Sequence, residues 1–122
     1  MSKAKRQGRL LWRLFGAREF VTGADLAEGA GVALRTVYRD VAEVQLAGVP
    51  IVGGPGKGYR LVNEARVSPV LTLGDVIAIA EALGDRIAGQ GSTPAAVQDA
   101  LDRLLEALPA PMAQAVMLEV KP

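Results

Sequence analysis

Two short helical patterns joined across a single glycine, then two β-rich runs around a loop of four glycines, leave few folds open to this chain. Residues 23–30 carry the first pattern. Thr22 offers a hydroxyl to its free N–H groups, Asp25 suits the positive end of the helix dipole, and Leu26 and Ala27 face inward. Gly31 suits the left-handed residue that closes a helix, and Val32 packs back across the turn. Residues 34–47 carry the second pattern. Leu34, Val37, Val41 and Val44 repeat at spacings of three and four, while Arg35, Thr36 and Arg39 share another side. Gly48 stops this helix. Helix, tight turn, helix is the helix-turn-helix layout.

Residues 49–52 and 59–62 are rich in β-branched and aromatic side chains and flank Gly53, Gly54, Gly56 and Gly58, which predicts a hairpin. Such glycines also occur in phosphate-binding loops, but those loops lead into a helix, and here a strand follows. A hairpin after the third helix is a wing. Upstream, residues 3–17 read as a first helix with Leu10, Leu11, Leu14 and Phe15 on one side and Arg6, Arg9 and Arg13 on the other. Residues 20–21 form a short extended step. Trp12 is assigned to a core or interface in preference to base stacking.

Downstream, residues 63–71 read as a linker, with Pro69 disfavouring helix at Ser68. Thr72, with Asp75 three residues on, caps a fourth helix striped by Leu73, Val76, Ile77, Ala80, Leu83 and Ile87. A turn at 89–92 precedes a fifth helix, which Thr93 and Pro94 start and which Pro109 and Pro111 end. Its apolar face is Val97, Ala100, Leu101, Leu104, Leu105 and Leu108. The apolar tail at 113–120 receives no assignment. The expected fold is mainly α with a small β-hairpin: a winged helix-turn-helix at 1–62, a linker at 63–71 and a helical segment at 72–122 led by a helix pair.

Charge divides the chain. Residues 1–62 hold ten basic and five acidic side chains, a net +5, whereas 63–122 hold four basic and eight acidic, a net −4. A polyanion is therefore expected to meet the front half only. In a helix-turn-helix the second helix of the motif enters the major groove, which places Arg35, Thr36 and Arg39 at base edges, with Tyr38 beside them. Arginine forms two parallel hydrogen bonds to guanine, a pairing that discriminates by roughly 1–3 kcal/mol. The competing assignment is a solvated face on which Arg39 pairs with Glu43; for Tyr38 it is packing. Lys57 at the loop tip, followed by Tyr59 and Arg60, forms a second candidate contact, and Lys3, Lys5, Arg6 and Arg9 can neutralise backbone phosphates. Lys57 and the amino terminus also have a plainer use as solvated surface charge.

The chain has no cysteine and no histidine, which excludes disulfides, thiolate nucleophiles and Cys/His zinc sites. Glu28, Asp40 and Glu43 read as helix surface charges. With no nucleophile–base pair and no metal set, neither an enzyme nor a cofactor is expected. There is no run of eighteen apolar residues and no apolar segment fit for a signal peptide, so the expected setting is cytoplasmic, without a membrane partner.

The run Leu26, Ala27, Glu28, then Gly31 and Val32, then Arg35, Thr36, Val37, Tyr38, Arg39, Asp40 and Val41, resembles the N-terminal domain of WYL-domain, DeoR-like transcription regulators. So does the downstream set Ala47, Gly48, Val49, Pro50, Ile51, Gly56, Gly58, Tyr59, Arg60 and Leu61. The similarity spans 8–62 and extends more weakly to 108 through the Leu71 and Thr72 helix start. It implies operator DNA as partner, usually bound by a dimer, with Arg35, Thr36, Tyr38 and Arg39 on the recognition helix. Ala33 stands where the family usually has a capping serine, and Gly29 where a better helix former is usual. The family's C-terminal WYL domain has no counterpart in these residues, which points to a fragment or a natural short version.

Two readings of function follow. One is sequence-specific binding of double-stranded DNA by a transcription regulator, with residues 72–108 pairing two copies into a homodimer. The other is a protein-interaction module that dimerises with a relative and modulates it without touching DNA. The co-occurrence of Arg35, Arg39, Lys57 and a basic amino terminus favours the first.

Overall fold

Local signals set the helix ends. In the computed structural model, which describes residues 1–89 and 95–118, the Ser2 hydroxyl accepts from the backbone N–H of Lys5 and opens α1 (Lys3–Gly16). The Thr22 hydroxyl accepts from the Asp25 N–H at 3.1 Å and opens α2 (Gly23–Ala30). Gly31 closes α2 in the left-handed region at φ 65°, a conformation costly for other residues. α3 (Leu34–Leu46) begins at Ala33 with no side-chain cap.

The hairpin comprises β1 (Ile51–Gly54) and β2 (Gly58–Leu61), antiparallel, with Ile51 opposite Leu61 and Gly54 opposite Gly58. The first strand thus starts two residues later than 49–52. The Val49 N–H donates to the Val44 carbonyl and finishes the end of α3, and Pro50 has no N–H to give a ladder. The pairing runs into the glycines instead. Gly53 has φ 112°, and a Cβ there would lie 1.9 Å from the Gly58 carbonyl oxygen, so the strand crossing needs glycine. Val21 exchanges two backbone hydrogen bonds of 2.8 Å with Tyr59, so the extended step before α2 is stitched to the wing.

Beyond the wing the chain folds back: the Leu73 N–H donates to Ala65 O and the Gly74 N–H to Asn63 O. α4 (Leu73–Ala88) starts in a capping box, Thr72 accepting from the Asp75 N–H and the Asp75 carboxylate accepting from the Thr72 N–H. α5 (Ala95–Glu106) follows; its expected start at Thr93 and Pro94, and 90–92 of the turn, lie outside the described residues. A sixth helix, α6 (Ala110–Leu118), occupies most of the tail to which no element is assigned above. Pro111 therefore does not end α5. It sits in the first turn of α6, where its missing N–H would have had no intrahelical partner.

α1 is the spine of the core. Leu10, Leu11 and Leu14 are buried in one cluster with Val37, Val41 and Val44 of α3 and Leu61 of the wing. The same cluster continues through Met112, Ala115 and Val116 of α6 and Leu73, Val76, Ile77 and Ala80 of α4. Trp12 lies buried at the α1–α6 seam, its indole Nε1 donating to the Ala115 carbonyl at 3.1 Å. α5 packs more shallowly: Leu101 is buried, while Val97, Ala100, Leu104 and Leu105 are half-buried. No helix among the described residues is long and apolar enough to cross a membrane.

Candidate nucleic-acid interface

α3 divides into three sides. Val37, Val41 and Val44 face the core. Arg35, Arg39, Ala42 and Leu46, spaced four, three and four apart, are all exposed. Among the described residues neither Arg35 nor Arg39 forms an ion pair, so both guanidinium groups are available to an incoming anion. Leu34, read from the sequence as part of the apolar stripe, is 40 % exposed because it caps the outer edge of the motif against Gly23. Thr36 is half-buried. Tyr38 is half-buried too: its ring lies against Gly23 and edge-on to Tyr59, with centroids 6.3 Å apart.

The third side of α3 faces α1, and here the structure corrects the sequence. Asp40 is not a surface charge. It is 2 % exposed, and its carboxylate accepts from Arg6 Nε at 2.6 Å, from Arg6 Nη2 at 2.9 Å and from Gln7 Nε2 at 3.3 Å. Asp40 raises the pKa of Arg6 above its ordinary value through this hydrogen bonding. Glu43 accepts from Gln7 at 2.8 Å and pairs with Lys3 at 3.2 Å; Lys3 first, then Gln7, holds its pKa below the usual carboxylate value. The pairing of Glu43 with Arg39 is thus replaced by one with α1, which leaves Arg39 open. Arg6, partly buried, and Lys3, exposed, pair with Asp40 and Glu43 and brace the uncapped α3 from the side, whereas Lys5 and Arg9 are exposed.

At the wing, Lys57 stands at the tip with its ammonium 4.8 Å from the Phe20 ring centroid, a cation–π contact. Phe20 is partly exposed, and nothing in its sequence neighbourhood marks it as a wing residue; its position follows from the pairing of Val21 with Tyr59. Tyr59 itself is 5 % exposed, and burial raises its pKa, so it acts as a core ring under Tyr38. Arg60 makes a two-pronged contact with Glu64, at 3.0 and 3.3 Å, and lowers the pKa of that carboxyl. The eleven candidate residues therefore separate. Arg35, Arg39, Lys5, Arg9 and Lys57 are exposed cations, Lys3 is exposed but ion-paired with Glu43, Thr36 and Tyr38 are half-buried on α3, Arg6 and Arg60 are partly buried and ion-paired, and Tyr59 is buried.

No curated protein and no solved structure matches the chain. Residues 6–60, from α1 to the wing, match the family described as HTH domain. With a two-stranded wing behind the second helix of the motif, these residues form a winged helix-turn-helix fold.

Proposed function

We propose that the protein binds double-stranded DNA sequence-specifically as a transcriptional regulator of the WYL-domain, DeoR-like type, with α3 in the major groove and the wing on the backbone or minor groove. The observation that carries this reading is the pair of exposed arginines, Arg35 and Arg39, on one side of α3, neither ion-paired among the described residues. Arg35 lies in the first turn and Arg39 one turn on, where residues of a recognition helix reach base edges. Thr36 and Tyr38 flank them and offer hydroxyls to phosphate. Lys57, Lys5 and Arg9 supply charge for backbone contact. Lys3, Arg6 and Arg60, through their ion pairs, and the buried Tyr59 position these elements.

The half-buried face of α5 (Val97, Ala100, Leu104, Leu105) supports a homodimer through residues 72–108, which would present two recognition helices to two half-sites. The same face supports the second reading, in which the chain pairs with a relative and never meets DNA.

The test is fluorescence anisotropy on a labelled mixed-sequence duplex of about thirty base pairs at two salt concentrations, some three helical turns, enough for two half-sites. Wild type is expected to bind with a steep salt dependence. Arg35→Ala/Arg39→Ala is expected to weaken binding by about 10-fold or more for each arginine–guanine pair it removes. Absence of wild-type binding at low salt would overturn the DNA reading. Dimerisation in sedimentation without DNA binding would favour the second.

A further inference from the structure

A cleft of about 310 Å³ opens between α1, α2 and α3, at the small end of the range for ligand sites. Its floor is apolar, made by Leu10, Leu26, Val32 and Val37, and its rim carries Arg6, Arg9 and Arg13 from one side of α1. Asp40 and Arg6 neutralise each other there. The remaining charged rim groups are Arg9, Arg13 and Asp25, a net charge of one positive. Among the described residues neither Arg9 nor Arg13 is ion-paired.

Gly29 lies inside α2, where glycine weakens a helix, and it lines this cleft. Packing does not require it, since a Cβ at this position would meet nothing within 4 Å, and its φ is not in the left-handed region. At this point the wall of the cleft carries no side chain.

We propose that this cleft is a binding site for a small amphipathic monoanion, a carboxylate on an apolar body. The carboxylate lies against Arg9 and Arg13, whose planar guanidinium groups suit its two oxygens, and the apolar body rests on Leu10, Leu26 and Val37. The single net positive charge matches one carboxylate, and the apolar floor has no use for a bare inorganic anion. The site stands whether or not α3 reads DNA.

Titrating benzoate into the isotope-labelled full chain, followed by amide and methyl NMR, tests this. Benzoate is expected to shift Gly29, Ala30, Leu26 and Val37 saturably with roughly millimolar affinity, as befits a ligand of this size. Arg9→Gln/Arg13→Gln is expected to weaken it about tenfold or more. Gly29→Leu is expected to abolish binding while leaving the melting temperature unchanged or raised, because a better helix former replaces glycine. Any of the following would overturn the site: no saturable shift, shifts confined to residues outside the cleft, equal binding of benzamide, identical shifts from inorganic phosphate, or undiminished binding by a folded Gly29→Leu.

Discussion

Replacing Arg6 with methionine keeps the aliphatic stem against α3 and removes the charge that Asp40 faces. Asp40 would then retain one hydrogen bond, the 3.3 Å donation from Gln7, while remaining 2 % exposed. Breaking a buried ion pair from one side costs about 3–5 kcal/mol. The Arg6 side chain is 20 % exposed, so water reaches part of the pair, and we scale the cost down to about 2–4 kcal/mol. Asp40→Asn acts differently. The orphaned guanidinium swings toward water and the amide keeps the shape of the carboxylate, so about 1–2 kcal/mol is expected. In the double variant no charge is left buried, and Arg6→Met/Asp40→Asn should be more stable than Arg6→Met alone. Urea unfolding followed by far-UV circular dichroism, with Trp12 fluorescence as a second probe of the α1–α6 seam, yields all four corners of the cycle. For a chain of this size, Arg6→Met should lower Tm by about 10 °C. A cost below about 1 kcal/mol for Arg6→Met, or a double variant no better than that single one, would refute the claim that α1 holds the recognition helix through a buried charge.

Three further outcomes follow from named contacts. Gly53→Ala forces a Cβ to 1.9 Å from the Gly58 carbonyl at φ 112°, and should cost about 2–3 kcal/mol or more and strip hydrogen-exchange protection from the Tyr59 amide. Trp12→Phe removes the 3.1 Å donation to Ala115 and should cost about 1–2 kcal/mol by urea unfolding while leaving the fold intact. Glu43 should titrate below its ordinary 4.5 in carboxyl NMR, and its pKa should move up in Lys3→Ala. Because that pKa is depressed in the folded state, the stability it contributes is present above about pH 4.5 and is lost as pH falls through the folded value.

Features carried by neighbours a few residues apart were legible in the amino-acid sequence. Thr22 with Asp25, Thr72 with Asp75, and Gly31 after Ala30 mark helix ends because a cap is a bond between residues three or four positions apart, and all three are found in the structure. The exposure of Arg35 and Arg39 follows from helical periodicity in the same way. α6 escaped because a helix apolar on nearly every side has no stripe to detect, and two prolines near its start read as a stop. The roles of the charges came from tertiary packing alone. Arg6 meets Asp40 across 34 residues and Trp12 meets Ala115 across 103, and no local pattern encodes pairs so distant. By drawing Lys3 and Gln7 onto Glu43, packing of α1 on α3 turned an apparent surface acid into part of a brace and left Arg39 without an ion pair among the described residues. Periodicity decides which side of a helix is polar; only the approach of another helix decides which polar groups on that side stay free.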